Sequence, residues 1–204
     1  MRIAMRPALA LGVALAAALA GAAEPAHVHE HEHATPAPAP LPGGSLYQLG
    51  VALDAAGGSS LALDSLRGGP VVVTMFYSSC TTVCPMLTLA MQHIAAGLEP
   101  AERERVRFLM VSLDAARDTP ARLAEFAAEH HLPQPPFLVA HAAAADVRTL
   151  AAALGIRYRQ LPDGSFSHSS LITLLDRDGV ATARTQVLAA EDPGFVASVR
   201  AQLR

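Results

Sequence analysis

The sequence predicts an α/β domain: a mixed central sheet with flanking helices and an N-terminal β-hairpin. Three observations carry this. Two breaker-free apolar runs rich in β-branched residues, 71–76 and 106–113, read as strands buried on both faces. Helical patterns at 85–94, 119–130 and 146–154 are interleaved with strands, which is the signature of a helix-covered sheet. A strand–turn–strand unit and a last helix then close the chain.

Taken in order, residues 1–22 read as an export signal. Arg2 and Arg6 supply the positive start, Ala8 to Ala20 is apolar and interrupted only by glycine, and Ala20-Gly21-Ala22 is a small-residue cleavage site. The apolar run falls short of the roughly 18–20 residues of a spanning helix, so a cleaved signal is preferred over an N-terminal anchor. Residues 23–44 form a His- and Pro-rich linker. In it His27, His29, His31 and His33 alternate with Val28, Glu30 and Glu32, and a Thr35-Pro36-Ala37-Pro38-Ala39-Pro40 run follows. The proline run is a semi-rigid extended spacer. Alternate side chains of an extended segment point the same way, which makes the four imidazoles candidates for weak, exchangeable copper or zinc capture. The competing reading is a solvated tail that merely titrates near neutrality.

The folded domain is expected over 45–204. Residues 46–53 and 60–63, split by Ala55-Ala56-Gly57-Gly58, read as a β-hairpin. Leu66-Arg67-Gly68-Gly69-Pro70 turns the chain into the first buried strand, and Pro85 at the first helical position opens the helix that follows. After the strand 106–113, Thr119 caps a helix with Pro120 at its first position and Leu123, Phe126 and Ala127 on one face. Residues 137–139 read as a short strand, and the helix 146–154 ends at Gly155. The strand 171–175 is turned by Asp176-Arg177-Asp178-Gly179 into 180–183, and 195–203 form the last helix. The layout that fits this order is thioredoxin-like.

At 204 residues the chain is one domain plus extras, long enough for a core without disulfide stapling. A net charge of −3, the absence of lysine, and arginines scattered along the sequence give no electrostatic case for nucleic acid.

Chemistry concentrates in Tyr77-Ser78-Ser79-Cys80-Thr81-Thr82-Val83-Cys84-Pro85, which holds both cysteines and joins a buried strand to a helix. Helix-terminal N–H groups and the macrodipole favour thiolate there. The spacing is C-x-x-x-C, one residue wider than the C-x-x-C of disulfide oxidoreductases. The sulfurs are close enough either to bridge or to grip one soft metal ion. A bridge closing so short a loop constrains the unfolded chain little. Thiolates select Cu(I), zinc and iron–sulfur clusters, and two cysteines underfill a four-ligand structural zinc site. Cu(I) asks only for one more donor. The candidate is His168, on the polar loop Asp163-Gly164-Ser165-Phe166-Ser167-His168-Ser169-Ser170 ahead of the strand 171–175, although a lone loop histidine is more often a surface residue. His93 within a helix, His130 and His131 ending one, and His141 starting one read as structural or solvated. Met86 and Met91 read as packing.

Three blocks resemble the Sco/SenC family: Phe76-Tyr77-Ser78-Ser79-Cys80-Thr81-Thr82-Val83-Cys84-Pro85, Val111-Ser112-Leu113-Asp114-Ala115-Ala116-Arg117-Asp118-Thr119-Pro120, and His168-Ser169-Ser170 leading into a strand. They occur in the family's order and span most of 45–204. The resemblance implies a thioredoxin-like fold, Cys80, Cys84 and His168 as copper ligands, and a part in assembling the dinuclear copper centre of cytochrome c oxidase. Asp114, at the end of a buried strand, is read as a carboxylate that orients a ligand or assists metal hand-over. Asp118, ahead of Thr119-Pro120, reads as ordinary helix-start chemistry. Gly69-Pro70 stands where the family commonly has glycine followed by lysine.

The leading expectation is an exported copper metallochaperone, in the bacterial periplasm or on the outer face of the cytoplasmic membrane. It would bind Cu(I), with Cu(II) as the second candidate state, and pass copper to cytochrome c oxidase subunit II or to another periplasmic copper chaperone. The alternative is an enzyme, a thiol–disulfide oxidoreductase that cycles Cys80 and Cys84 with a thiol reductant and keeps a copper-binding partner's cysteines reduced. A thiol peroxidase is weaker still, because hydroperoxide chemistry wants one low-pKa cysteine beside an arginine. His168 discriminates: redox exchange has no evident need of it, and a third copper ligand does.

Overall fold

Strand β3 (Val71–Phe76) is buried at every position, and the sheet is built outward from it. The structure is a computed structural model that describes residues 39–188 and 190–204. The expected export signal and His27, His29, His31 and His33 lie outside the described residues. The unit Ala39–Arg204 carries one seven-stranded sheet. β3 pairs in parallel with β4 (Arg107–Ser112), and β4 with β5 (Phe137–His141). The flanking pairs are antiparallel: β1 (Ala52–Ala55) joins β5 to β2 (Ser60–Ala62), and β8 (Ile172–Leu175) joins β3 to β9 (Ala181–Thr185).

Period-two alternation splits the core into two layers. Val72 and Phe76 of β3, Phe108 and Met110 of β4, and Ile172 and Leu174 of β8 face one side. There they pack on α1 (Val83–Ala96), α3 (Pro120–Glu129) and α5 (Pro193–Ala201). Val71, Val73 and Met75, with Leu109 and Val111, face the other side against α4 (Ala144–Leu154), Leu46 and Tyr47. Full burial of each such side chain stabilises by about 1.5–3 kcal/mol before entropy is counted, which is why these two strands were the clearest in the sequence.

Elsewhere local chemistry departs from the expected boundaries. Leu46–Leu49 is a 3-10 turn with Ser45 as its side-chain cap, so the hairpin begins only at Ala52. Gly50, with φ 64°, ends that turn in the left-handed region that glycine adopts freely. α1 begins at Val83, two residues ahead of Pro85, and Cys84 lies inside its first turn. A short α2 (Pro100–Arg103) starts at Glu99 with a reciprocal capping box. Thr119 does cap α3, accepting from the Arg122 N–H. His141 ends β5 instead of starting a helix. Met91 is buried, as packing requires, but Met86 is 43% exposed. Among the described residues no helix is long and apolar enough to cross a membrane.

Residues 158–168 hold a second, two-stranded sheet of β6 (Tyr158–Gln160) and β7 (Phe166–His168). His168 is therefore the last residue of a strand, not part of an irregular loop.

Candidate metal centre

Ligands collect at the carboxyl ends of parallel strands, where diverging connections leave a crevice. The cysteine loop leaves β3 at that edge, and the segment with Asp114 and Asp118 leaves β4 beside it. β8 runs antiparallel to β3, with Ile172 paired to Thr74, so the residues just before Ile172 arrive at the same edge. These include His168. Topology thus gathers groups that are 84 positions apart in the chain.

Both cysteines are free thiols; Cys80 is partly exposed and Cys84 fully buried. The Cys84 backbone N–H donates to Cys80 Sγ at 3.4 Å. Cys84 Sγ and His168 Nε2 are 3.7 Å apart. His168 Nδ1 sits 3.2 Å from the Ser169 carbonyl, which assigns the ring proton to Nδ1 and leaves the Nε2 lone pair facing the sulfur. A metal bound at about 2.3 Å to sulfur and 2.0–2.1 Å to nitrogen, with an angle of roughly 110–120°, holds its donors about 3.6–3.8 Å apart. The Cys84–His168 separation matches that span. Among the described residues no three His, Cys, Asp or Glu side chains are gathered tightly enough to hold a metal as they stand. A metal held by all three would require Cys80, which is partly exposed, to close on Cys84 and His168.

The two thiols differ sharply in acidity. Burial raises the Cys80 pKa, but the N–H of Cys84 foremost, then the Cys84 thiol, the Thr82 N–H and the Tyr77 hydroxyl, outweigh it and bring it down to about 7. Cys84 is pushed far up by burial, which outweighs a hydrogen bond to the Tyr77 backbone that pulls it down, and the Cys80 sulfur then adds to the rise. Burial lowers the His168 pKa against a smaller opposing pull from the Ser169 carbonyl, so its imidazole is neutral at pH 7. At neutral pH the edge holds one poised thiolate, one protonated thiol and one neutral imidazole.

The two carboxylates anchor the segments that carry the candidate ligands. Asp118, 1% exposed, accepts from the Ser78 N–H at 2.9 Å, from the Ser78 hydroxyl and from the Ser112 hydroxyl. It pins the cysteine loop to the end of β4, and Thr119, not Asp118, is the helix cap. Asp114, 3% exposed, has none of the three candidate ligands among its hydrogen-bond partners. It pairs with Arg117, whose other amino group donates to the Gly164 carbonyl in the turn between β6 and β7. Asp114 therefore bears on His168 at one remove, by tying down the hairpin that carries it.

Residues 52–202 match the SCO1/SenC family model. The chain belongs to this family. It is similar to the SCO1 protein homolog of Bacillus subtilis (strain 168), 33% identical over 75 residues, or 37% of this chain and 38% of that relative. The match thus spans well under half of the relative's length. Among solved structures it is similar to copper-bound ScoI of Bradyrhizobium japonicum, with a TM-score of 0.65 and 21% identity, covering 74% of this chain and 96% of that one. It is similar also to apo Sco1 of Thermus thermophilus, with a TM-score of 0.61 and 25% identity, covering 74% and 88%. These likenesses carry the thioredoxin-like fold.

The roles of three residues at this edge are not legible in the sequence. Tyr77 donates its hydroxyl to the Phe166 carbonyl at 3.2 Å and turns its ring edge-on to His168, at 6.0 Å between centroids. Arg117 and Asp118 are the others. The one available signal was position: all three follow the carboxyl ends of the two buried parallel strands.

Proposed function

We propose that this SCO1/SenC protein is an exported copper metallochaperone, with Cys80, Cys84 and His168 as the ligands of its cargo. The observation that carries the reading is Cys84 Sγ lying 3.7 Å from the lone-pair nitrogen of His168, beside a Cys80 thiol held by a helix N–H. Two thiolates and an imidazole are a soft donor set suited to Cu(I), and the fold is shared with a ScoI that is copper-bound. Cys80, partly exposed and already half ionised near neutrality, makes first contact with the incoming ion. Cys84 then loses its proton and His168 completes the set. In delivery the order reverses: a partner's ligand replaces the partly exposed Cys80 first, and buried Cys84 releases last. The recipient is the dinuclear copper centre of cytochrome c oxidase on subunit II, or another periplasmic copper chaperone. His27, His29, His31 and His33 serve as weak, exchangeable capture ahead of the core site.

A second reading has its own support. A thiol brought down to about 7 beside a second, protonated thiol is the pairing a disulfide oxidoreductase uses. Anaerobic Cu(I) competition titration separates the two. Reduced wild type should bind one equivalent, with affinity lowered on the order of a hundredfold or more by His168→Ala and by Cys84→Ser. Undiminished affinity in His168→Ala removes that residue from the site. Rapid turnover of a disulfide substrate with negligible copper affinity replaces the chaperone with the oxidoreductase.

A further inference from the structure

The arginines, scattered in sequence, converge in space. Arg67, Arg105, Arg107, Arg177 and Arg204 line one cleft of about 610 Å³ whose only carboxylate side chain is Glu104. Arg67 is paired with Asp178 at 2.9 Å. Among the described residues the other four have no carboxylate within ion-pair distance. Instead Arg105 donates to the Leu203 carbonyl at 2.7 Å and Arg107 to the Glu104 carbonyl at 3.2 Å. Carbonyl oxygens anchor these guanidinium groups without neutralising them and leave most of their five donors unspent. Of the nearby acids, Glu102 pairs with Arg200, whereas Asp176 accepts two backbone N–H groups of its own turn and keeps its charge. Set against Glu104, Asp178 and the α-carboxylate of Arg204, the five guanidinium groups still leave the cleft net positive in a chain of net charge −3.

Its place in the fold narrows the ligand. Pro70 and Arg107 stand at the start of β3 and β4, whereas Cys80 follows the far end of β3. A six-residue strand rising ~3.3 Å per residue separates the two edges by about 20 Å. The N-terminal segment joins the domain at the arginine edge. The Leu46 N–H donates to the Gly179 carbonyl at 2.9 Å, in the same turn that holds Arg177, and Gly68 of the cleft donates to the Arg177 carbonyl. Residues 1–38, with Arg2, Arg6 and the apolar run 8–20, precede this point in the chain. Guanidinium forks match phosphate oxygens in pairs, and basic side chains near an anionic bilayer add to its attraction one by one.

We infer that the cleft binds phosphate and seats the domain on the anionic headgroups of a phospholipid membrane, with the cysteine edge turned away from the bilayer. This holds whatever the cysteines bind. The test is flotation of the full chain with phosphatidylglycerol-containing vesicles and with pure phosphatidylcholine vesicles, at low and high salt. Where the N-terminal apolar run is retained it contributes to both vesicle types, so the preference for phosphatidylglycerol is the quantity read. Wild type should show that preference, and salt should weaken it. Arg107→Glu/Arg177→Glu should reduce it about tenfold or more. The charge-matched Arg148→Glu/Arg184→Glu, away from the cleft, should retain most of it. Circular dichroism confirms that each variant folds. An equal loss in both variants, or none in either, overturns the inference. Inorganic phosphate that raises the melting temperature of wild type but not of Arg107→Glu/Arg177→Glu, without any phosphatidylglycerol preference, makes the cleft a soluble-anion site and overturns the membrane assignment.

Discussion

Cys80 and Cys84 are four residues apart in the chain, and their chemistry diverges because one accepts helix N–H groups at a partly open turn while the other is sealed beneath it. For Cys80, whose folded pKa is depressed, the favourable interactions belong to the thiolate. They are in full force above the ordinary thiol range and fade as pH falls through about 7. Iodoacetamide labelling followed by mass spectrometry should therefore modify Cys80 with a half-maximal rate near pH 7 and leave Cys84 untouched in the native protein. Tyr77→Phe, which removes a hydroxyl whose one proton is shared between the Phe166 carbonyl and Cys80, should move that midpoint slightly upward. Equal labelling of the two thiols, or a Cys80 midpoint in the ordinary thiol range, contradicts this account. The same asymmetry fixes the proton stoichiometry of metal uptake. At pH 7 Cys84 gives up one proton and half-ionised Cys80 about half of one, so Cu(I) should release roughly 1.5 protons per ion, falling toward one as pH rises above 8. Calorimetry in buffers of different ionisation enthalpy reads this number directly.

At the scale of elements, the site is an alignment of two independent pieces, the β3–α1 turn and the β6–β7 hairpin, each held by its own carboxylate. Asp118 is buried and accepts from three donors, so Asp118→Ala strands those donors and should cost about 1–3 kcal/mol in denaturant unfolding. Arg117 is half-exposed, and its loss should barely change global stability. Arg117→Ala should instead speed amide exchange in β6 and β7 and weaken Cu(I) binding about tenfold by loosening His168, with partial rescue by Arg117→Lys. Unchanged exchange in β7 would falsify the clamp. Capping was legible at this scale, since Thr119-Pro120 announces a helix start from local chemistry alone. The β6–β7 hairpin was not. Its strands are three residues long, too short for an alternating pattern to register, and its pairing is with itself instead of the main sheet.

Across the whole molecule, the two core layers make the sheet a rigid platform whose edges carry the chemistry. Phe108→Ala, at a fully buried position in the layer beneath α1 and α3, should lower stability by about 3–5 kcal/mol. Because it lies in the core and not at the edge, copper stoichiometry in the folded fraction should stay at one per chain. Equilibrium unfolding and a copper titration on the same sample check both halves. What the sequence by itself determined was the layering and the place to look. Unbroken apolar runs in β3 and β4 require burial on both faces, and a thiol pair just past such a strand lies at a sheet edge, because period and burial are local properties of consecutive residues. Only the tertiary structure decided which distant groups meet: His168 with Cys84, Asp118 with the cysteine loop and Arg117 with the hairpin at that edge, and five scattered arginines with one another at the opposite one. Those neighbourhoods depend on strand order and direction, and the pKa of each group on what then covers it. Neither is written in the residues that lie beside it in the chain.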